Sequence, residues 1–124
     1  MPTYYRDDGK PVVQFDPQIE IAPFTLFRHL REGRGPILVD IRTEPSSLTL
    51  EGAIGLPDPD WEPDEEADIV LFDDDGEESV DFARRLQEAG FPRVKALFGG
   101  LQLYLFALDP EALGQKTFLR RLTE

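Results

Sequence analysis

The sequence predicts an α/β domain built on a mainly parallel sheet, and three observations carry that expectation. PILVDIR and IVLF contain uninterrupted apolar runs, Ile37 to Val39 and Ile69 to Phe72, of the kind that suits parallel strands buried on both faces. GEESVDFARRLQEAGF instead spaces Val80, Ala83, Leu86 and Ala89 along one helical face and closes on Gly90. Strand-like and helix-like segments then alternate along the chain, the pattern of crossover connections between parallel strands.

The remaining elements follow in order. TYYRDDGKPVVQF is expected to form a β-hairpin around Asp8-Gly9, so that residues 1–18 make an N-terminal extension. QIEIAP is a short strand ended by Pro23. PFTLFRHLREG is a helix with Phe24, Phe27 and Leu30 on one face and Gly33 as its stop. TEPSSLTLEG is a loop or a weak helical turn, and GAIGLP a short strand, Ala53 to Leu56, closed by Pro57. DPDWEPDEEAD is a polar connection. RVKALF is a further strand, ending at Gly99-Gly100. LQLYLFALDPEALGQKTFLRRL supplies one or two closing helices with a break near Asp109-Pro110, so that residues 109–124 pack as a helix on the domain.

Composition bounds the function. A chain of 124 residues, 40% hydrophobic and 31% charged, fits one domain with a single core. Its apolar runs fall far short of the roughly 20 residues that cross a bilayer, and the N-terminus does not read as a secretory signal, so a cytoplasmic location is expected. There is no cysteine, which removes thiolate metal sites and every sulfur nucleophile. The one histidine, His29, sits in a short amphipathic helix and is expected at a solvated rim. A net charge of −12 argues against nucleic acid and against anionic membranes. From Asp58 to Glu78 there are 12 acidic residues and no Lys or Arg. Such a run is ordinarily a solvated surface; gathered in space, it suits a basic protein partner or a divalent cation. Trp61, inside that run, is expected to act as a lid on the sheet rather than an anchor for a partner. Tyr4 and Tyr5 on the hairpin leave an edge that a second copy of the chain can pair with in a homodimer.

The order IAP, helix, ILVDIRTE, GAI, IVLF, loop, helix, AGF, RVKALFGGLQLY resembles the rhodanese homology domain over about residues 19 to 108. Asp40-Ile41-Arg42 with Glu44 matches the family's strand ending in Asp-Val-Arg and a following Glu. Gly52-Ala53-Ile54 matches the end of a Gly-His-Ile-Pro-Gly-Ala segment, with Thr49 and Glu51 where His and Pro are usual. Gly90-Phe91 and Leu97-Phe98-Gly99-Gly100 match two later landmarks, with Tyr104 at the usual Trp position. The resemblance implies a three-layer domain: a five-stranded, mainly parallel sheet between helices, with the ligand loop at the carboxyl ends of the strands.

At that loop the family carries Cys, two residues, Gly, one residue, Arg and Ser. Here the stretch is Asp73, Asp74, Asp75, Gly76, Glu77, Glu78, Ser79. Gly76 and Ser79 keep the turn and the helix start, while Asp73 replaces the nucleophile and Glu78 the anion-binding Arg. A carboxylate carries no transferable sulfane sulfur, and clustered acids repel thiosulfate or phosphate. The resemblance therefore implies a degenerate site, no catalytic residues, no cofactor, and a role in protein interaction or regulation. The expected internal role of Asp73 is to accept the inward-facing N–H groups of the loop.

Two other readings use the same residues. LFDDDGE fits the opening motif of the haloacid-dehalogenase superfamily, in which Asp73 would attack phosphorus and Asp75 protonate the leaving group, with Mg²⁺ bridging. Its position at residue 73, Glu77 in place of Thr, and the lack of a matching downstream Lys and acid pair stand against it. As weak metal candidates, Asp73, Asp75 and Glu78 offer hard oxygen ligands for a divalent cation.

Overall fold

The computed structural model describes residues 15–43, 48–55, 63–114 and 116–121. The expected N-terminal hairpin, Glu44 and Trp61 lie outside the described residues. The elements are β1 (Glu20–Ile21), α1 (Pro23–Arg31), β2 (Ile37–Asp40), β3 (Leu48–Leu50), β4 (Ile69–Phe72), α2 (Glu77–Glu88), β5 (Val94–Leu97), α3 (Gly100–Ala107), α4 (Pro110–Leu113) and β6 (Leu119–Arg121).

The two apolar runs lie side by side. β2 pairs with β4 in parallel from Ile37↔Ile69 to Asp40↔Phe72, and the sheet order is β1-β5-β4-β2, parallel throughout. All four residues of β4 are buried, as an unbroken apolar strand requires. Alternation across the sheet divides the core into two layers. Leu38, Val70, Phe72 and Leu97 pack under α1 and α3, and Val39, Ile69, Leu71, Val94 and Ala96 pack under α2. The expected α/β three-layer architecture is therefore present.

The fifth strand is reduced to one bridge. Ile54 pairs with Val39, donating its N–H to Leu38 O (2.9 Å) and accepting from Asp40 N (2.9 Å). Gly52, at φ +80°, and Gly55 flank that short stretch, so it lacks the run of paired residues a longer strand needs.

Three local expectations are corrected. In α1 the inward stripe is Pro23, Leu26, Phe27 and Leu30, the complete i, i+3, i+4, i+7 set, while Phe24 is 59% exposed. In α2, Ala83 is buried and Val80 and Leu86 pack on the core, but Ala89 lies past the last turn and is exposed. The largest departure is at the C-terminus. The expected closing helix over residues 109–124 ends at Leu113, and Leu119–Arg121 forms a strand antiparallel to Leu48–Leu50, itself expected as loop. Local periodicity did not decide this pairing; anchors from outside did. The Tyr104 hydroxyl donates to Thr117 O (2.5 Å), Glu51 N donates to Phe118 O (2.7 Å), and Phe118 turns the chain at φ +68°. Among the described residues, no helix is long and apolar enough to cross a membrane.

Candidate functional site

The carboxyl end of β4 delivers Asp73 to the point where the strand gives way to α2. A helix start leaves four backbone N–H groups without intrahelical acceptors. At α2 these belong to Gly76, Glu77, Glu78 and Ser79, and carboxylates of the same loop take all four. Gly76 N donates to Asp73 Oδ1 (2.6 Å); Glu78 N and Ser79 N donate to Asp73 Oδ2 (3.0 and 3.3 Å). Glu77 N donates to Asp75 Oδ1 (3.0 Å). The Ser79 hydroxyl adds a further bond to Asp73 Oδ1 (3.1 Å). Asp73 is 5% exposed, and Ser79 is fully buried. The cradle that a helix N-terminus offers to an anion is thus filled from within, and the positive end of the helix dipole favours that charge.

Two glycines make the curl possible. Gly76 has φ +89°, and a Cβ there would stand 3.0 Å from Gly99 N. A Cβ on Gly100 would meet Asp73 O and Asp74 O at 2.6 Å. That closeness is used: Leu101 N donates to Asp73 O (2.9 Å) and Gln102 N to Asp74 O (3.0 Å). The start of α3 therefore seats the loop from behind, and the Gly99-Gly100 landmark serves the site by letting two backbones touch.

From the neighbouring strand, Asp40 and Arg42 form a buried bidentate pair: Arg42 Nε to Asp40 Oδ1 (2.9 Å) and Arg42 Nη2 to Asp40 Oδ2 (2.7 Å). Arg42 Nη2 also reaches Leu48 O (2.7 Å), Nη1 reaches Asp74 Oδ1 (3.0 Å), and the Thr49 hydroxyl donates to Asp40 Oδ2 (3.1 Å). Hydrogen bonding to Asp40 raises the Arg42 pKa further above its ordinary value; burial opposes this and Asp74 adds to it. The guanidinium thus links β2, β3 and the loop, with its charge already answered by two carboxylates.

What remains open is a hollow of about 290 Å³ edged by Asp74, Asp75, Glu77 and Glu78, with Arg42 and Asp73 beneath. The four rim residues are exposed. A carboxylate nucleophile must present a lone pair to its substrate, whereas both oxygens of Asp73 are engaged by the backbone. Nor does the loop gather Asp73, Asp75 and Glu78 as ligands: among the described residues, no group of three or more His, Asp or Glu side chains is placed to hold a metal ion.

Sequence reasoning brought Asp73, Gly76, Ser79, Asp40 and Arg42 to one end of the sheet. It placed Thr49 at a family landmark but missed its bond to Asp40 and the Leu48 carbonyl, because nothing local marks a strand whose partner lies some 70 residues onward. It also missed the contact from the α3 backbone, for which Gly99-Gly100 was the available signal.

No protein-family model matches the chain, and no curated protein matches it. Solved structures do. The rhodanese-like domain of an Anabaena protein is similar at a TM-score of 0.64 and 20% identity, over 87% of this chain and 81% of that one. A Bacillus halodurans protein is similar at 0.59 and 21%, over 73% of each chain. A rhodanese-related protein from Thermoplasma volcanium is similar at 0.57 and 14%, over 73% of this chain and 93% of that one. At such identities the likeness speaks to architecture, and together with the parallel β1-β5-β4-β2 sheet it gives this chain the rhodanese-like fold.

Proposed function

We propose that this chain is a non-catalytic rhodanese-like domain that acts by binding a protein, with the acidic rim of the loop as its recognition surface. The observation that carries the reading is the Asp73 carboxylate, buried and bonded on both oxygens by the start of α2. It occupies the position from which the fold would present a nucleophile, and it fills the cradle an anionic substrate would need. Asp75, Glu77 and Glu78 project around it, and Asp74 is 61% exposed despite its bond to Arg42. This charge suits Lys or Arg side chains of a partner and repels anionic substrates.

The test is a pull-down with the full chain and a variant carrying Asp74→Asn, Asp75→Asn, Glu77→Gln and Glu78→Gln. Asp73 is kept so that the loop stays built. Loss of specific partners in the variant is the expected result, and an unchanged set of partners contradicts the recognition surface. Thiosulfate–cyanide turnover by the wild type, or Mg²⁺-dependent phosphate release abolished by Asp73→Asn, overturns the non-catalytic reading.

A further inference from the structure

A second cavity lies at the opposite end of the sheet, and its charge is opposite to that of the chain. It is a cleft of about 740 Å³ between α1 and the amino ends of β4 and β5, within the range of small-molecule sites. Thr25 and His29 form its α1 wall, Ile21 and Val70 line it from the sheet, and Lys95 and Arg34 complete the lining. Its two acidic residues leave little negative charge in it. Glu20 is in register with Ala96, so its side chain belongs to the α2 face, where its carboxylate accepts from Asp16 N (2.9 Å). Asp68 is answered on both oxygens by Arg93 (2.7 and 2.8 Å).

The cations are differently placed. Lys95 Nζ donates to two backbone carbonyls, Pro17 O (2.8 Å) and Gln18 O (2.7 Å). These use two of its three protons and cancel none of its charge, and among the described residues no carboxylate forms an ion pair with it. Arg34 shares its charge with Glu32, which is not part of the lining, so the surplus rests mainly on Lys95 with Arg34 as a second donor. In a chain of net charge −12, this cleft carries a positive surplus over an apolar floor.

We propose that the cleft binds a small organic acid with a mostly apolar body, its carboxylate meeting Lys95 and Arg34 and its body lying on Ile21 and Val70. A surplus of fixed cations with an apolar floor selects a monoanion over a neutral or cationic molecule of the same shape. The site is independent of the acidic loop and needs no change in it.

The test uses the full chain and three probes of one shape: 2-naphthylacetate, 2-naphthylacetamide and 2-(2-naphthyl)ethylammonium. Amide shifts of Thr25, His29, Val70 and Lys95 in ¹H–¹⁵N spectra are followed on titration. The acid is expected to saturate below about 10 mM, the amide to bind about tenfold more weakly, and the cation not at all. Lys95→Met should weaken the acid about tenfold and remove the preference for charge, while Lys95→Arg retains both. Arg34 is exposed, so Arg34→Gln leaves the fold intact and should weaken the acid severalfold even if Lys95→Met does not fold. Equal binding of acid and cation, shifts confined to residues 73–79, no saturation, or full affinity in Arg34→Gln each overturns the proposal.

Discussion

The two ends of β4 are separated by four residues, roughly 13 Å of strand, and they are built in opposite ways. At the carboxyl end, where parallel sheets usually hold their ligands, the loop is closed on itself. Asp73 satisfies the helix start, Arg42 is shared between Asp40 and Asp74, and the space left is a shallow acidic hollow. At the amino end the cavity is more than twice as large, apolar at its floor and basic at its wall. The difference teaches that a fold's usual ligand position guarantees a shape and not an occupant. One inward-turned carboxylate turns the cradle into a structural joint.

If the carboxyl end is a joint, substitutions there should be expensive, and the largest effect falls on the buried ion pair. Arg42→Ala strips a 4% exposed Asp40 of its charged partner and cuts the links to Leu48 O and Asp74; urea denaturation should show a loss of about 4 kcal/mol. A loss near that of an exposed pair, below about 1 kcal/mol, would break the contrast. Asp73→Ala comes next. It leaves three N–H groups without their acceptor and the Ser79 hydroxyl with only Gly76 O (3.3 Å), at a cost of about 3 kcal/mol. Ser79→Ala removes one of these bonds together with its donor, so its cost should be about 1 kcal/mol.

The smallest effect sharpens the comparison from the far side of the sheet. Burial raises the Glu20 pKa above its ordinary 4.5, with Asp16 adding to the rise and the Asp16 N–H and Arg84 opposing it. A carboxyl whose folded pKa is raised binds more protons folded than unfolded, so its contribution declines as pH rises from the unfolded value through the folded one. Glu20→Gln keeps the acceptor for Asp16 N and removes that decline. The variant should gain a little stability relative to wild type above this window and lose the gain below pH 4.5. Denaturation midpoints at pH 4 and pH 7 provide the check; a relative gain that is equal or larger at the lower pH contradicts the sign.

How much of this was legible depended on the range of the forces involved. β2, β4, α2 and β5 declare themselves through local periodicity and burial, and Asp73, Gly76 and Ser79 through the order of landmarks. Their use was partly legible too, since a carboxylate beside a helix start has few better partners than its N–H groups. The β3–β6 ribbon was not. Leu48–Leu50 reads as loop until Leu119–Arg121 is laid against it, and that strand in turn depends on Tyr104 and the turn at Phe118. The inward phase of α1 was also misjudged. Phe24 is as apolar as its neighbours, and only the Pro23, Leu26, Phe27, Leu30 set shows which side faces the sheet. The cleft at the amino end left no trace in sequence, because His29 and Arg34, at the end of α1, meet Lys95 of β5 from some 60 residues away.

The most direct test of the self-filled cradle is amide hydrogen exchange at the start of α2. Gly76, Glu78 and Ser79 have no intrahelical acceptor, so any protection they show reports on Asp73. In the wild type these three amides should exchange slowly. In Asp73→Ala they should exchange about a hundredfold faster or more, while Leu71 and Ala83 in the core, compared at matched global stability, keep their rates. Fast exchange at all three positions in the wild type, or rates unchanged by the substitution, would contradict the account.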